Sequence, residues 1–156
     1  MDLYLMQHGE ATSEAENQER PLTEAGQAAV QAISKRAGAA GVHVGGCVHS
    51  GRRCAEQSAQ LFMAGLGGQA EVSARDGLAP NDAVAPTTQW LRTATERDAI
   101  AVIGHLPFLD RLASLLVVGD EEAQVARFRM GGPIKLEPKD TGEGFIIAWA
   151  LPPELA

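Results

Sequence analysis

The chain has 156 residues, 45% apolar and 21% charged, the profile of one soluble globular domain (residues 1–156) with a core of its own. Lys plus Arg is 13 and Asp plus Glu is 20, and the resulting charge of −7 argues against a nucleic-acid or membrane surface as partner. No apolar run is long enough to span a bilayer, and Cys47 and Cys54 read as reduced thiols of a cytoplasmic protein rather than as a disulfide.

The opening Met1-Asp2-Leu3-Tyr4 lacks a basic segment and a sufficient apolar core, so no signal peptide is expected. Residues 2–7 predict a short strand, ended by Gly9, where the backbone can turn sharply. His8 is thereby expected at a strand end, facing the crevice of an α/β sheet. There it is either a loop residue without a role or a nucleophile or base. Residues 9–21, with Glu10, Glu14, Glu16 and Glu19, read as a solvated polar rim. Thr23 is a good N-cap for a helix to about Ala39. Its buried stripe is expected at Leu22, Ala25, Ala29, Ala32 and Ile33, with Gly38 and Gly41 as stops.

Val42 to Val48 predicts the second strand. Ser50-Gly51 opens a helix to about Gly65, with Cys54, Ser58, Leu61 and Phe62 on one face. Ala70 to Ala74 is a third strand candidate, and Asp82 a candidate cap for a helix containing Trp90 and Leu91. Ala99 to Gly104 is the clearest buried strand, continuous and apolar. It runs into His105-Leu106-Pro107, where Pro107 suits the first turn of a helix through Leu112 and Leu116 to Gly119. A strand around Arg127 to Met130, a Gly131-Gly132 turn, and Ile134 to Glu137 follow. Phe145 to Trp149 is expected as a hairpin partner. The alternation implies an α/β class: a three-layer α/β/α sandwich, its central sheet mainly parallel with antiparallel C-terminal strands.

In that sheet His8, Ser50 and His105 each follow a strand and can share one edge. Beside them, the helix start Ser50-Gly51-Arg52-Arg53 offers amides and guanidinium groups to an anion. Two histidines around an anion site point to phosphoryl transfer, against a plainer reading in which His105 only orders its turn. No Walker-type phosphate loop and no dinucleotide fingerprint is present. His43 and His49 around Cys47 lack zinc spacing, so neither a metal nor a cofactor is expected.

Leu5-Met6-Gln7-His8-Gly9-Glu10-Ala11 resembles the Arg-His-Gly signature of the histidine phosphatase (phosphoglycerate mutase-like) superfamily. Arg20-Pro21-Leu22-Thr23-Glu24-Ala25-Gly26 resembles the motif that follows it in the small phosphohistidine phosphatase branch, the SixA type. Ser50 to Ala59 is similar to the second signature, and Val102-Ile103-Gly104-His105-Leu106-Pro107 to the last. The segments fall in family order across nearly the whole chain, and the absence of a long insert between the last two favours the small branch.

The resemblance implies that His8 attacks phosphorus and becomes phosphorylated, that His105 hydrogen-bonds the phosphoryl oxygens, and that water hydrolyses the intermediate. Gln7, Arg20, Ser50, Arg52 and Arg53 are the implied phosphate-binding positions. The implied substrate is a phosphohistidine-bearing protein or a small phosphoester, acted on by a cytoplasmic monomer. Two positions depart from the family pattern: Gln7 and Cys54 stand where it has arginines. Arg53, Arg52 and Arg20 are the candidates to compensate. The departures leave a second reading open, a catalytically weakened phosphate- or phosphoprotein-binding module. Cys54 itself is either a reactive thiol with lowered pKa at a helix start or a small buried residue.

Overall fold

The computed structural model describes residues 1–94 and 97–156. In chain order the elements are β1 (Asp2–Gln7), α1 (Glu24–Ala39), β2 (Gly46–His49), α2 (Arg53–Leu66), β3 (Val72–Ala74), α3 (Ala85–Thr93), β4 (Ala99–Gly104), α4 (Phe108–Val118), β5 (Pro133–Pro138) and β6 (Phe145–Ala150). A short 3₁₀ turn, Pro153–Leu155, follows. One sheet takes the order β3-β2-β4-β1-β5-β6. The first four of these strands pair in parallel, and β5 and β6 are antiparallel additions.

Strand alternation divides the core between the two faces. Leu3, Leu5, Ile100 and Val102 face α3 and α4, packing with Leu91, Leu109 and Leu112. Tyr4, Met6, Ala101 and Ile103 face α1 and α2, packing with Val30 and Phe62. The expected three layers are thus present, each sheet face covered by one helix pair. β4 is buried at every position, as its unbroken apolar run requires. No helix among the described residues is long and apolar enough to cross a membrane.

Four local expectations are corrected. β2 begins at Gly46, not Val42, because the Val42 amide still bonds the Ala37 carbonyl (3.0 Å) and ties the chain to the end of α1. Arg127 to Met130 forms no strand: both edges of β1 are already taken, by β4 and β5, and the segment pairs with neither edge strand, β3 or β6. It packs Phe128 into the core instead. Asp82 does not cap α3; its carboxylate accepts from the Ala79 amide (2.9 Å) and closes a turn before the helix. The buried stripe of α1 is Gly26, Val30, Ile33, Ser34 and Ala37, while Ala25 and Ala32 are exposed.

Thr23 caps α1 as expected, its hydroxyl accepting from the Gly26 amide at 2.9 Å. α2 starts at Arg53, three residues after Ser50, so Ser50, Gly51 and Arg52 form a connecting turn.

Candidate active site

Parallel register sets the geometry. Gln7 pairs with Gly104 and His49 with Ile103, so β1, β4 and β2 end level with one another. The residues that follow, His8, His105 and Ser50, therefore emerge side by side at the carboxyl edge of the sheet. The His8 and His105 rings lie 5.1 Å apart, tilted by 54°.

Each ring is fixed by a partner. His8 Nδ1 is 2.6 Å from the Gly9 carbonyl oxygen. A carbonyl only accepts, so Nδ1 carries the proton and the lone pair resides on Nε2. His105 Nε2 is 2.7 Å from Ser50 Oγ. That hydroxyl oxygen also accepts from the Arg52 amide at 3.4 Å. With the hydroxyl donating to Nε2 the neutral His105 ring carries its proton on Nδ1, and with the hydroxyl accepting it carries it on Nε2.

Both imidazoles are held neutral at pH 7. Burial pushes His105 down to about 4, aided by His8, Arg52 and Arg20. Burial also lowers His8; its bond to the Gly9 carbonyl opposes the shift, and Arg20 and Arg52 add to it. The two guanidinium groups whose field reaches both histidines are thus those of Arg20 and Arg52.

Arg20 comes from the loop between β1 and α1. That loop is pinned by the Thr12 amide on the Pro21 carbonyl (2.8 Å), the Thr23 amide on the Glu10 carbonyl (3.0 Å) and a bridge between Ala11 and Leu22. Arg20 itself has φ +50°, a left-handed conformation uncommon outside glycine, and its Nε donates to the Thr12 carbonyl at 3.0 Å. α2 holds the other side: Ser58 Oγ accepts from the Gly9 amide (2.9 Å), and Gln57 Oε1 accepts from the Leu22 amide (2.7 Å).

A cavity of about 590 Å³ opens here, its wall including Glu14, Glu19, Arg20, Arg52, Cys54 and His105. The acidic loop therefore forms its rim. Arg53 also lines it but is paired with Glu56 at 2.6 Å. Gln7 lies at the end of β1 outside this wall and forms no side-chain hydrogen bond among the described residues. The Gly51 amide, expected as an anion ligand, is taken by His49 Nδ1 at 3.1 Å.

Cys54 is 4% exposed. Burial raises its thiol pKa, and the Ala55 amide and the arginines only partly oppose this, so the helix start does not make it a resting thiolate. A ligand atom of each of His8, Cys54 and His105 lies within 4.8 Å of the other two. This grouping escaped the sequence, where the three residues are far apart. The resemblance itself held a signal, since Cys54 occupies a position aligned with a phosphate-binding arginine.

No protein-family model matches the sequence. An uncharacterised protein of Picosynechococcus is 29% identical over 168 residues, covering 97% of this chain and 100% of its own. Among solved structures, the protein histidine phosphatase SixA complexed with tungstate superposes with a TM-score of 0.86 at 22% identity, over 98% of this chain and 97% of its own. The putative phosphohistidine phosphatase SixA of Agrobacterium tumefaciens gives 0.78 at 19% identity, over 96% of each chain. The putative alpha-ribazole-5'-P phosphatase of Escherichia coli gives 0.75 at 17% identity, over 94% of this chain and 95% of its own. The fold is therefore the phosphoglycerate mutase-like fold, shared with SixA phosphohistidine phosphatases and other members of the histidine phosphatase superfamily.

Proposed function

We propose that the protein is a phosphohydrolase working through a phosphorylated His8. The observation that carries this reading is the 2.6 Å bond from His8 Nδ1 to the Gly9 carbonyl, which leaves Nε2 unprotonated on a ring 5.1 Å from that of His105, with Arg20 and Arg52 acting on both. In the first step the Nε2 lone pair attacks phosphorus, the N–P bond forms, and the substrate's P–N or P–O bond breaks as the leaving group takes up a proton. In the second, water attacks the same phosphorus, the His8 N–P bond breaks, and inorganic phosphate leaves. His105 Nδ1–H, Arg20 and Arg52 hold the oxygens whose charge is redistributed in both steps.

The substrate class that fits is a phosphohistidine on a protein or a small phosphoester. An imidazole leaves readily once protonated from solvent, so no lid-borne acid is required. The rim formed by Glu14 and Glu19 and the open cavity are compatible with a protein surface bearing its phosphoryl group on a short side chain. Likeness in fold to SixA structures supports this class.

The test is turnover of a phosphorylated phosphotransfer domain and of an aryl phosphate, with His8→Ala alongside. An acid-labile phosphoryl label on the wild-type chain, and its loss in His8→Ala with a fall of at least ~10²-fold in rate, is expected. Equal turnover in the two proteins overturns the assignment. Anion binding with no turnover in either protein favours a binding module, the role that Gln7 and Cys54 would suit.

A further inference from the structure

The anion pocket does not account for Cys54. Its Sγ shares a 4.8 Å sphere with one ring nitrogen each of His8 and His105, and those three atoms come from three different elements: the end of β1, the first turn of α2 and the residue after β4. Two imidazoles and a thiol are the ligand set of a borderline or soft transition metal, as in three-ligand zinc sites. They do not suit magnesium or calcium, which prefer oxygen.

Both rings already have a hydrogen-bond partner on one nitrogen. His8 donates its Nδ1–H to the Gly9 carbonyl, and His105 Nε2 is bonded to Ser50 Oγ. Such outer partners fix ring orientation in histidine metal sites. The Ser50 hydroxyl can accept as well as donate, so His105 can present Nδ1 unprotonated while Nε2–H donates to Ser50. Bond lengths of ~2.0–2.3 Å place tetrahedral zinc ligands roughly 3.3–3.6 Å apart, so the three atoms need to close by about 1 Å, within reach of side-chain rotation. Arg20 and Arg52 oppose a cation here. One negative charge returns when the thiol loses its proton, and Glu14 and Glu19 face the same cavity.

We propose that His8, Cys54 and His105 form a zinc(II) site, and that its occupancy reversibly shuts the phosphoryl-transfer centre. The metal takes the Nε2 lone pair of His8 that would otherwise attack phosphorus, and one proton leaves Sγ to solvent; nothing is oxidised or reduced. The binding half of the inference stands on geometry alone, whereas the shut-off half rests on His8 as phosphoryl acceptor.

Cobalt(II) serves as the spectroscopic probe, titrated into the full chain after chelator treatment. One equivalent is expected to produce a thiolate-to-cobalt charge-transfer band in the near ultraviolet, which zinc abolishes by displacement. Cys54→Ser should lose the band, and Cys54→Ser and His105→Asn should each weaken zinc roughly 100-fold or more, with circular dichroism showing both variants folded. Cys47→Ser, the other buried thiol, should keep the band. No band in the folded wild-type chain, or a band that survives Cys54→Ser, overturns the site. In parallel, zinc should abolish turnover of the wild-type protein, chelator should restore it, and Cys54→Ser should resist. Turnover unchanged at saturating zinc overturns the shut-off half. A Cys54-dependent band on cobalt addition, in a protein that when freed of metal never turns over, sinks the phosphatase reading and leaves the zinc site standing.

Discussion

Ser50 Oγ, 2.7 Å from His105 Nε2, joins the ends of β2 and β4 and holds the His105 ring in place. Ser50→Ala removes the hydroxyl that partners Nε2, at a cost of about 1–3 kcal/mol for a partly buried hydrogen bond, or roughly 5- to 150-fold. The loss should fall on kcat with the fold intact. Nitrogen-15 NMR of His105 should show mixed tautomers in the variant and one in the parent. A variant with parental kcat would show that Ser50 merely closes the turn.

The three candidate arginines are not equivalent. The fields of Arg20 and Arg52 reach both histidines, whereas Arg53 is engaged with Glu56 on a largely exposed flank. Arg20→Ala and Arg52→Ala should each lower kcat/KM by at least ~10-fold, short of the 10²–10³ seen for buried oxyanion donors because both reach solvent. Arg53→Ala should cost less than about threefold, as a surface ion pair of this kind contributes little. Tungstate affinity should follow the same order. The comparison fails if Arg53→Ala is the most damaging of the three.

Arg20→Gly separates strain from function. At φ +50° the arginine is held where an L side chain costs roughly 1–2 kcal/mol, and glycine does not incur that cost. The same change removes the Nε bond to the Thr12 carbonyl, worth about 1 kcal/mol. Stability should therefore stay within about 1 kcal/mol of wild type while turnover drops as in Arg20→Ala. A loss of several kcal/mol in thermal unfolding would mean that the side chain, not the backbone, holds the loop.

Acid should destabilise the protein through its buried histidine. His105 has a folded-state value of about 4 against 6.5 when unfolded, chiefly because burial disfavours its charged form. Between these values the unfolded chain binds more protons, so stability rises with pH across that window. The contribution is complete above pH 6.5 and is lost as pH falls toward 4, a change on the order of 3 kcal/mol. Lowered His8 acts with the same sign. His105→Asn should flatten the stability profile there, measured by urea unfolding at several pH values. The acid limb of kcat/KM should lie below 6.5; a limb at or above it contradicts a neutral His8.

The parts of this fold that were legible in the sequence are those written in local pattern. The unbroken apolar run of Ala99 to Gly104, the Thr23 cap and the hairpin of β5 and β6 each appear where expected. Misreadings arose where tertiary demands outrank local ones. Val42 is held by the end of α1, and Arg127 to Met130 finds both sides of β1 filled by β4 and β5. On α1 the alanines suggested a buried face, but the residues that meet the loop and α2 are Gly26, Val30, Ile33 and Ala37. In the site, strand ends and motif order pointed to His8, Ser50 and His105. Which arginines act on the histidines, and that Cys54 lies beside both rings, depends on how α2 and the 10–22 loop lie on the sheet, and no short-range spacing encodes that.

Gly26 is where the loop and α1 meet most closely, and it gives the sharpest stability test. In an exposed helix interior, glycine to alanine would stabilise by about 1 kcal/mol. Here a Cβ would stand 2.2 Å from the Glu10 carbonyl oxygen and 3.0 Å from the Glu10 carbonyl carbon and amide nitrogen, all backbone atoms that cannot rotate away. The same carbonyl accepts from the Thr23 amide, so moving it also loosens the start of α1. Gly26→Ala should therefore destabilise by about 1–3 kcal/mol, the usual cost of overpacking. For a chain of this size that is a fall of roughly 2–12 °C in Tm. Because the displaced loop carries Arg20, tungstate affinity should drop in the same variant. A Tm equal to or above wild type would mean that the loop can lift from α1 at no cost, and would remove the support proposed for Arg20.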